Sequence, residues 1–357
     1  MRRSPTLRSA APSLAALLCL AVAAPACKGR VPPKTPDEVV TTSGPAGPGP
    51  ELVVQAGSNH LVRDVQFSPD GRQLAIVSVD GLLRVVDLHM GKEWRTYNGA
   101  AGPLHVTAWS PDGRQIAAAG FDKSVHIWDV ATGAEIATLP GHSGWVMSLE
   151  YSPDGRYLAS AAGTMDAVVA VWDVEQKRLR HALQHAEVVH DLAWSRDGKA
   201  LVTASKDVAV WNMENGGRLG EIAVDPHGAG KRKLRFSPDG KLLAIDGVGE
   251  LVHLYDAGSW AEAARLTGST LVGWHGPDGS IVVHRGGEVT RVEPRSGKRL
   301  ASAGYRADPS LRRAELALDG RLGATIDEMQ VHLFDAATGA RVRTIASTYW
   351  KHVGSAP

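Results

Sequence analysis

The sequence predicts an all-β fold, a seven-bladed β-propeller of four-stranded antiparallel blades, on three observations. A Ser-Pro-Asp-Gly turn, or a close variant, recurs seven times at a nearly constant interval. Short β-type runs separated by turn residues fill each interval. Glycine (39) and tryptophan (10) are abundant, which suits many turns and large rigid core side chains better than a helical chain.

The turn begins at Ser68, Ser110, Ser152, Ser195, Ser237, Gly276 and Ala317, so successive copies lie 42, 42, 43, 42, 39 and 41 residues apart. Proline at the second position fixes φ, aspartate bonds nearby backbone, and glycine accepts positive φ. An alternating run such as Val62 to Phe67 precedes the turn, and an apolar run such as Gln73 to Val77 follows it. A third run (Val125 to Asp129, Ala170 to Asp173) and a fourth (Ala134 to Leu139, Ala340 to Ala346) complete each period. Four short strands per repeat make one blade.

Before the repeats lies a different kind of sequence. Arg2, Arg3 and Arg8 precede an apolar stretch, Leu14 to Ala24, of signal-peptide length and short for a membrane span of ~20 residues. Residues 1–26 are therefore expected to be a signal peptide. Residues 27–50 carry six prolines (Pro32, Pro33, Pro36, Pro45, Pro48, Pro50) and cannot bury a core, so they are expected to be an extended tether. The propeller is expected over 51–346, with a C-terminal tail at 347–357.

Ala24-Pro25-Ala26-Cys27 resembles the lipobox of bacterial lipoproteins, with Ala24 where that family prefers Leu. The resemblance implies lipidation of Cys27 and a membrane-anchored protein of the cell envelope. Cleavage by a general signal peptidase, giving a soluble periplasmic or secreted protein, is the alternative. Of the two cysteines, Cys19 would leave with the signal, so Cys27 would have no disulfide partner.

The repeats resemble WD repeats. The third runs end in Val86-Asp87, Trp128-Asp129, Trp172-Asp173, Trp211-Asn212, Tyr255-Asp256, Val292-Glu293 and Phe334-Asp335, and Gly141-His142 opens one copy. The resemblance implies buried polar tetrads: His142, Ser160, Asp166 and Trp172 in the third copy, and His185, Thr203, Asp207 and Trp211 in the fourth. The second copy has Ala100 where the histidine would stand. These histidines are expected to be structural. His126, His253 and His332 share one position in separate copies, too far apart to hold one ligand. His181, His185 and His190 are close in sequence but are expected on different strands.

Both Glu51 to Gln55 and Arg341 to Ala346 could complete the last blade. The N-terminal strand is favoured, since Ala56-Gly57 leads into the first copy as Pro140-Gly141 leads into the third.

Thirty-nine basic against 38 acidic residues give no electrostatic reason to expect nucleic acid. No P-loop, HExxH or GxSxG motif is present, and neither cofactor nor metal is expected. Asp64, Glu150, His190, Asp191, Lys233 and Arg235 fall on the innermost strands. They read as solvated channel residues, or alternatively as the site of a hydrolase-like, lactonase-like or small-ligand-binding propeller. The resemblance places partner contacts just before the first strand and just before the tetrad aspartate. There Leu61, Phe121, Trp145, Met165 and Val188, with Val79, Pro103 and Lys206, are the candidate protein-binding residues. The expected function is a monomeric, non-catalytic scaffold for a protein partner, touching membrane only through its anchor.

Overall fold

The computed structural model describes residues 53–55, 61–163, 166–224, 233–247, 249–285, 288–306, 313–317, 319–327, 330–336 and 341–346. The expected signal peptide, the whole tether with Cys27, Met165 and the C-terminal tail lie outside them.

The described chain forms seven antiparallel sheets in a ring, each built from four consecutive strands. The blades span residues 62–97, 104–140, 146–184, 191–222, 234–267, 270–306 and 313–346, and are numbered 1 to 7 here. In each, the first strand is innermost and the fourth outermost. The outer strand meets the third through a β-bulge in all seven blades. Such bulges bend an exposed edge and discourage pairing with other chains.

The recurring turn is a closed hydrogen-bond unit. Ser68 Oγ donates to Asp70 Oδ1 (2.6 Å) and accepts from the amide of Gln73 (2.9 Å), while Asp70 also accepts from the amide of Arg72. The same Ser–Asp bond recurs at Ser110, Ser152, Ser195 and Ser237. Gly71 sits at φ +69°, a conformation strained for any residue with a Cβ. In blade 6 the turn keeps its six-residue length but begins one residue before the motif. His275 takes the serine position and pairs with Asp278 at 2.7 Å.

A second tie joins the two hairpin turns in every blade but the sixth, where Pro294 has no N–H to give. Leu88 N donates to Arg72 O, and Val130, Val174, Met213, Ala257 and Ala336 make the equivalent bond. Both turns therefore share one face of the ring, the turn face. The opposite, loop face carries the second-to-third-strand loops and the entry to each first strand, which are bonded together (Val79 N to Leu61 O, Phe121 N to Pro103 O, Gly163 N to Trp145 O).

Seven apolar clusters occupy the seven junctions between blades. One joins the first blade to the last, through Val65, Leu74 and Ile76 against Ala324, Ile326 and Leu333. Each fully buried Leu or Ile there contributes roughly 1.5–3 kcal/mol. Polar staples reinforce the junctions. The indoles of Trp109, Trp194 and Trp274 donate to the carbonyls of Gln66, Glu150 and Arg235 on the preceding blade, at 3.2, 3.1 and 3.0 Å.

Ring closure differs from the expectation. The C-terminal strand, Arg341–Ala346, is the fourth strand of blade 7, paired antiparallel with Gln330–Asp335. The N-terminal strand, Val53–Gln55, adds as a fifth, parallel strand outside it, pairing Val53 with Thr344 and Gln55 with Ala346. A short connection favours the local hairpin over recruiting a strand nearly 300 residues away. Arg343 also donates to Leu88 O of blade 1 at 2.7 Å.

Trp194 is 3 % exposed and its indole N–H is used across a junction. Trp194→Phe is expected to lower stability by about 1 kcal/mol, the value of one lost hydrogen bond. Trp194→Ala is expected to cost about 3–5 kcal/mol by adding a cavity. Urea denaturation of the two variants checks the order and the gap.

Candidate functional site

The polar interior of the blades takes two forms. In blade 3, His142 Nδ1 lies 3.1 Å from Asp166 Oδ2 and its Nε2 lies 2.7 Å from Ser160 Oγ, which accepts the Trp172 indole N–H at 2.8 Å. Asp166 also accepts the amide of Ser143. The structure thus brings His142, Ser160, Asp166 and Trp172 into one hydrogen-bonded chain.

In blade 4, His185 pairs with Thr203 (2.8 Å), which accepts from Trp211 (2.9 Å). Asp207 stands apart from this chain, contrary to the expectation. It accepts from Ser205 Oγ and pairs with Arg218, while His185 Nδ1 faces the carbonyl of Leu183. The loop before Asp207 is too short to carry the carboxylate back to the histidine.

Blades 1, 2, 5 and 7 invert the arrangement. A basic residue on the third strand takes the place of the loop histidine. Arg84 bonds Asp80 (2.6 Å) and Ser78. His126 sits between Asp122 and Glu135, each at 2.7 Å. His253 pairs with Glu262 (2.7 Å) and His332 with Thr344 (3.0 Å). In blades 3 and 4 the same position is Ala170 or Ala209, opposite Ser160 or Thr203. The shared position of the three histidines is therefore a blade-by-blade structural device. A buried polar group must be paired, and either layout pairs it. His181, His185 and His190 do not converge: His181 faces the carbonyl of Met213.

The channel charges are consumed mainly by backbone. Innermost strands are sheet edges with free amides, and the preceding blade caps several of them. Asp64 accepts from Thr107 N (3.2 Å), Gln66 from Trp109 N (3.2 Å), Asp191 from Leu234 N (2.9 Å) and Asp246 from Leu271 N (3.1 Å). Arg235 spans Asp191 (3.2 Å) and Glu315 (3.5 Å). Burial works to lower the Arg235 pKa, but Asp191 and Glu315 outweigh it and hold it above its usual value. Burial pushes Glu150 up to about 8 against the attraction of Arg235. Burial, aided by Arg235, brings Lys233 down to about 8, and burial raises Asp246 to about 6. Among the described residues, no three His, Cys, Asp or Glu side chains converge as a metal-holding group.

The loop face carries an aromatic ladder across blades 2 and 3. Phe121 stacks on Trp145 with ring centroids 4.1 Å apart and planes at 29°, and His105 stacks on Phe121 at 4.7 Å and 11°, its centroid 6.4 Å from that of Trp145. Trp145 remains 41 % exposed, as does Leu61 on blade 1. Trp145 thus packs on Phe121 of the neighbouring blade. Val188 is half-buried and stands outside the ladder. Sequence reasoning missed His105. Its signal was its place two residues after Pro103, at a bulge in the first strand that turns its ring towards the face.

The fold defines this protein as a seven-bladed β-propeller, and four of its repeats are similar to a known family. Four segments, residues 51–87, 91–129, 133–173 and 177–207, match the model of the family "WD domain, G-beta repeat". The chain is similar to "WD repeat and SOCS box-containing protein 1" of Xenopus tropicalis, 34% identical over 100 residues, 27% of this chain and 24% of that protein. It is also similar to "Coronin-7" of Homo sapiens, 31% identical over 145 residues, 37% of this chain and 16% of that protein. The match thus spans less than a quarter of the length of either relative.

Burial lowers the pKa of His142, partly offset by Asp166. Burial likewise lowers that of His185, offset mainly by the carbonyl of Leu183. Burial would raise Asp166, but the amide of Ser143 and the His142 ring outweigh it and hold it below the usual range. All three groups bind protons more readily when unfolded, so stability falls on acidification. The histidine contribution begins to fade below the unfolded histidine pKa of roughly 6.5. Urea midpoints at pH 7, 6 and 5 are expected to decline, and the decline between pH 7 and 5 is expected to be shallower in His142→Gln.

Proposed function

We propose that all seven blades are WD repeats and that the protein is a non-catalytic scaffold binding a protein partner through the loop face. One observation carries this reading: a stack of the half-buried Phe121 and the exposed Trp145, joined by His105, on the rims of two blades. Rigid aromatic side chains bury large area at little entropic cost, and exposed apolar patches mark interaction sites. The channel supports the same reading. Asp64 and Asp191 are engaged by strand amides, and Arg235 pairs with Asp191 and Glu315. The WD-named relatives favour a scaffold over a hydrolase.

The proposal extends to location. The apolar stretch before Ala24-Pro25-Ala26-Cys27 and the proline-rich segment after it support an exported protein, lipidated at Cys27 and tethered in a bacterial cell envelope. Loss of radiolabelled palmitate incorporation in Cys27→Ser is the expected outcome in growing cells. Full labelling of that variant would refute the anchor.

For the loop face, Phe121→Ala combined with Trp145→Ala is expected to reduce capture of a crosslinked envelope partner at least tenfold. The circular dichroism spectrum should stay unchanged, since neither ring lies in an inter-blade cluster. Undiminished capture by the double variant would refute the loop-face reading.

A further inference from the structure

We propose that the edge of the propeller formed by blades 6, 7 and 1, where the outer rim meets the turn face, lies against an anionic lipid surface. The proposal rests on the reading that the chain is tethered to a membrane, and adds which side of the ring faces that membrane.

Three independent features coincide at this edge. The first is apolar. Leu300 (46 % exposed) and Val342 (51 %) are the bulged residues of the outer strands of blades 6 and 7, and Trp94 (38 %) is that of blade 1. Met90, in the adjoining turn of blade 1, is 60 % exposed. Blades 3 and 4 expose Leu179 and Leu219 on the far side of the ring, so apolar exposure alone does not choose a side.

The second feature is charge. Lys92, Arg95, Arg295, Lys298 and Arg341 surround these four side chains in sequence and on the same strands and turns, beside the Arg299–Glu288 pair. Arg95 lies over the Trp94 ring at 4.9 Å. The nearby carboxylates have partners of their own. Asp87 accepts the amide of Met90, Glu93 bonds Thr96 and approaches Arg84, Glu288 pairs with Arg299, and Glu293 accepts the amides of Arg295 and Ser296. Apolar side chains ringed by cations suit a bilayer interface with anionic headgroups.

The third feature chooses the side. Val53–Gln55 runs parallel to Arg341–Ala346, which starts at the turn face and climbs towards the loop face. The strand's first residue, Val53, is therefore its end nearest the turn face, on the outer edge of blade 7. In sequence the 52 residues before it, with Cys27 and the apolar Leu14 to Ala24, lead into this strand on the outer edge of blade 7. With this edge down, the Phe121–Trp145 ladder on the loop face points away from the bilayer.

The test uses the full chain, purified from cell membranes, with vesicles of phosphatidylethanolamine and phosphatidylglycerol carrying a photo-crosslinking phosphatidylglycerol analogue. Adducts are mapped by peptide mass spectrometry. Adducts are expected on peptides holding residues 90–95, 295–300 and 341–343. They should fall several-fold in the Lys92→Glu/Lys298→Glu variant, whose changed residues are solvent-exposed. They should fall similarly when phosphatidylcholine replaces the bulk phosphatidylglycerol. Adducts confined to residues 1–50 would overturn the proposal and leave the tether intact. Equal labelling of the Leu179 and Leu219 strands would overturn the choice of edge. No adducts anywhere would overturn both the edge and the tether.

Discussion

No blade of this protein can satisfy itself. Each is a four-stranded sheet with two apolar faces and an inner edge of unpaired amides, and each of these needs the next blade. The seven apolar clusters cover the faces. Asp64, Gln66, Asp191 and Asp246 cap inner amides across the junctions, and three tryptophan indoles bond back to the blade before. The ring follows from this dependence, because an open row of blades would leave one face and one edge uncovered at each end. The charges that line the channel are largely the means by which the channel wall is completed.

Within the blades the same demand is met in two chemically different ways. A loop histidine bridges a hydroxyl in blades 3 and 4, whereas a third-strand Arg or His holds neighbouring polar groups in blades 1, 2, 5 and 7. The cross-strand partners differ accordingly: Ser160 and Thr203 face alanines, Arg84, His126 and His253 face Ile76, Ala118 and Ile245, and in blade 7 Thr325 faces His332. The degenerate copies are thus complete blades that solve the packing problem with other residues.

What could be read from the sequence was what is local. The Ser-Pro-Asp-Gly turn closes on itself within six residues, so its recurrence gave the period, the blade count and the strand order. The first-to-second-strand hairpins followed from it. What escaped was set by pairings between distant segments. The direction of Val53–Gln55 depends on a partner at the other end of the chain, and no local pattern distinguishes a fourth strand from a fifth. Asp207 looked equivalent to Asp166 by position, but a shorter loop gave it to Arg218. Phe121 and Trp145 were identified as face residues one by one. That they stack on each other, joined by His105, required knowing how two blades lean together.

The parallel strand on blade 7 has a mechanical consequence. Tension arriving through the residues before Val53 would pull along the axis of that strand, not across it. The bonds to Thr344, Ile345 and Ala346 would be loaded together in shear, whereas a hairpin pulled from its open end yields one bond at a time. Beyond Gln55 the load would pass into the first strand of blade 1, which is packed against blade 7 through their shared apolar cluster. A drag on the body of the protein would thus be borne at the seam where the ring begins and ends, by three backbone pairings and the oily layer behind them.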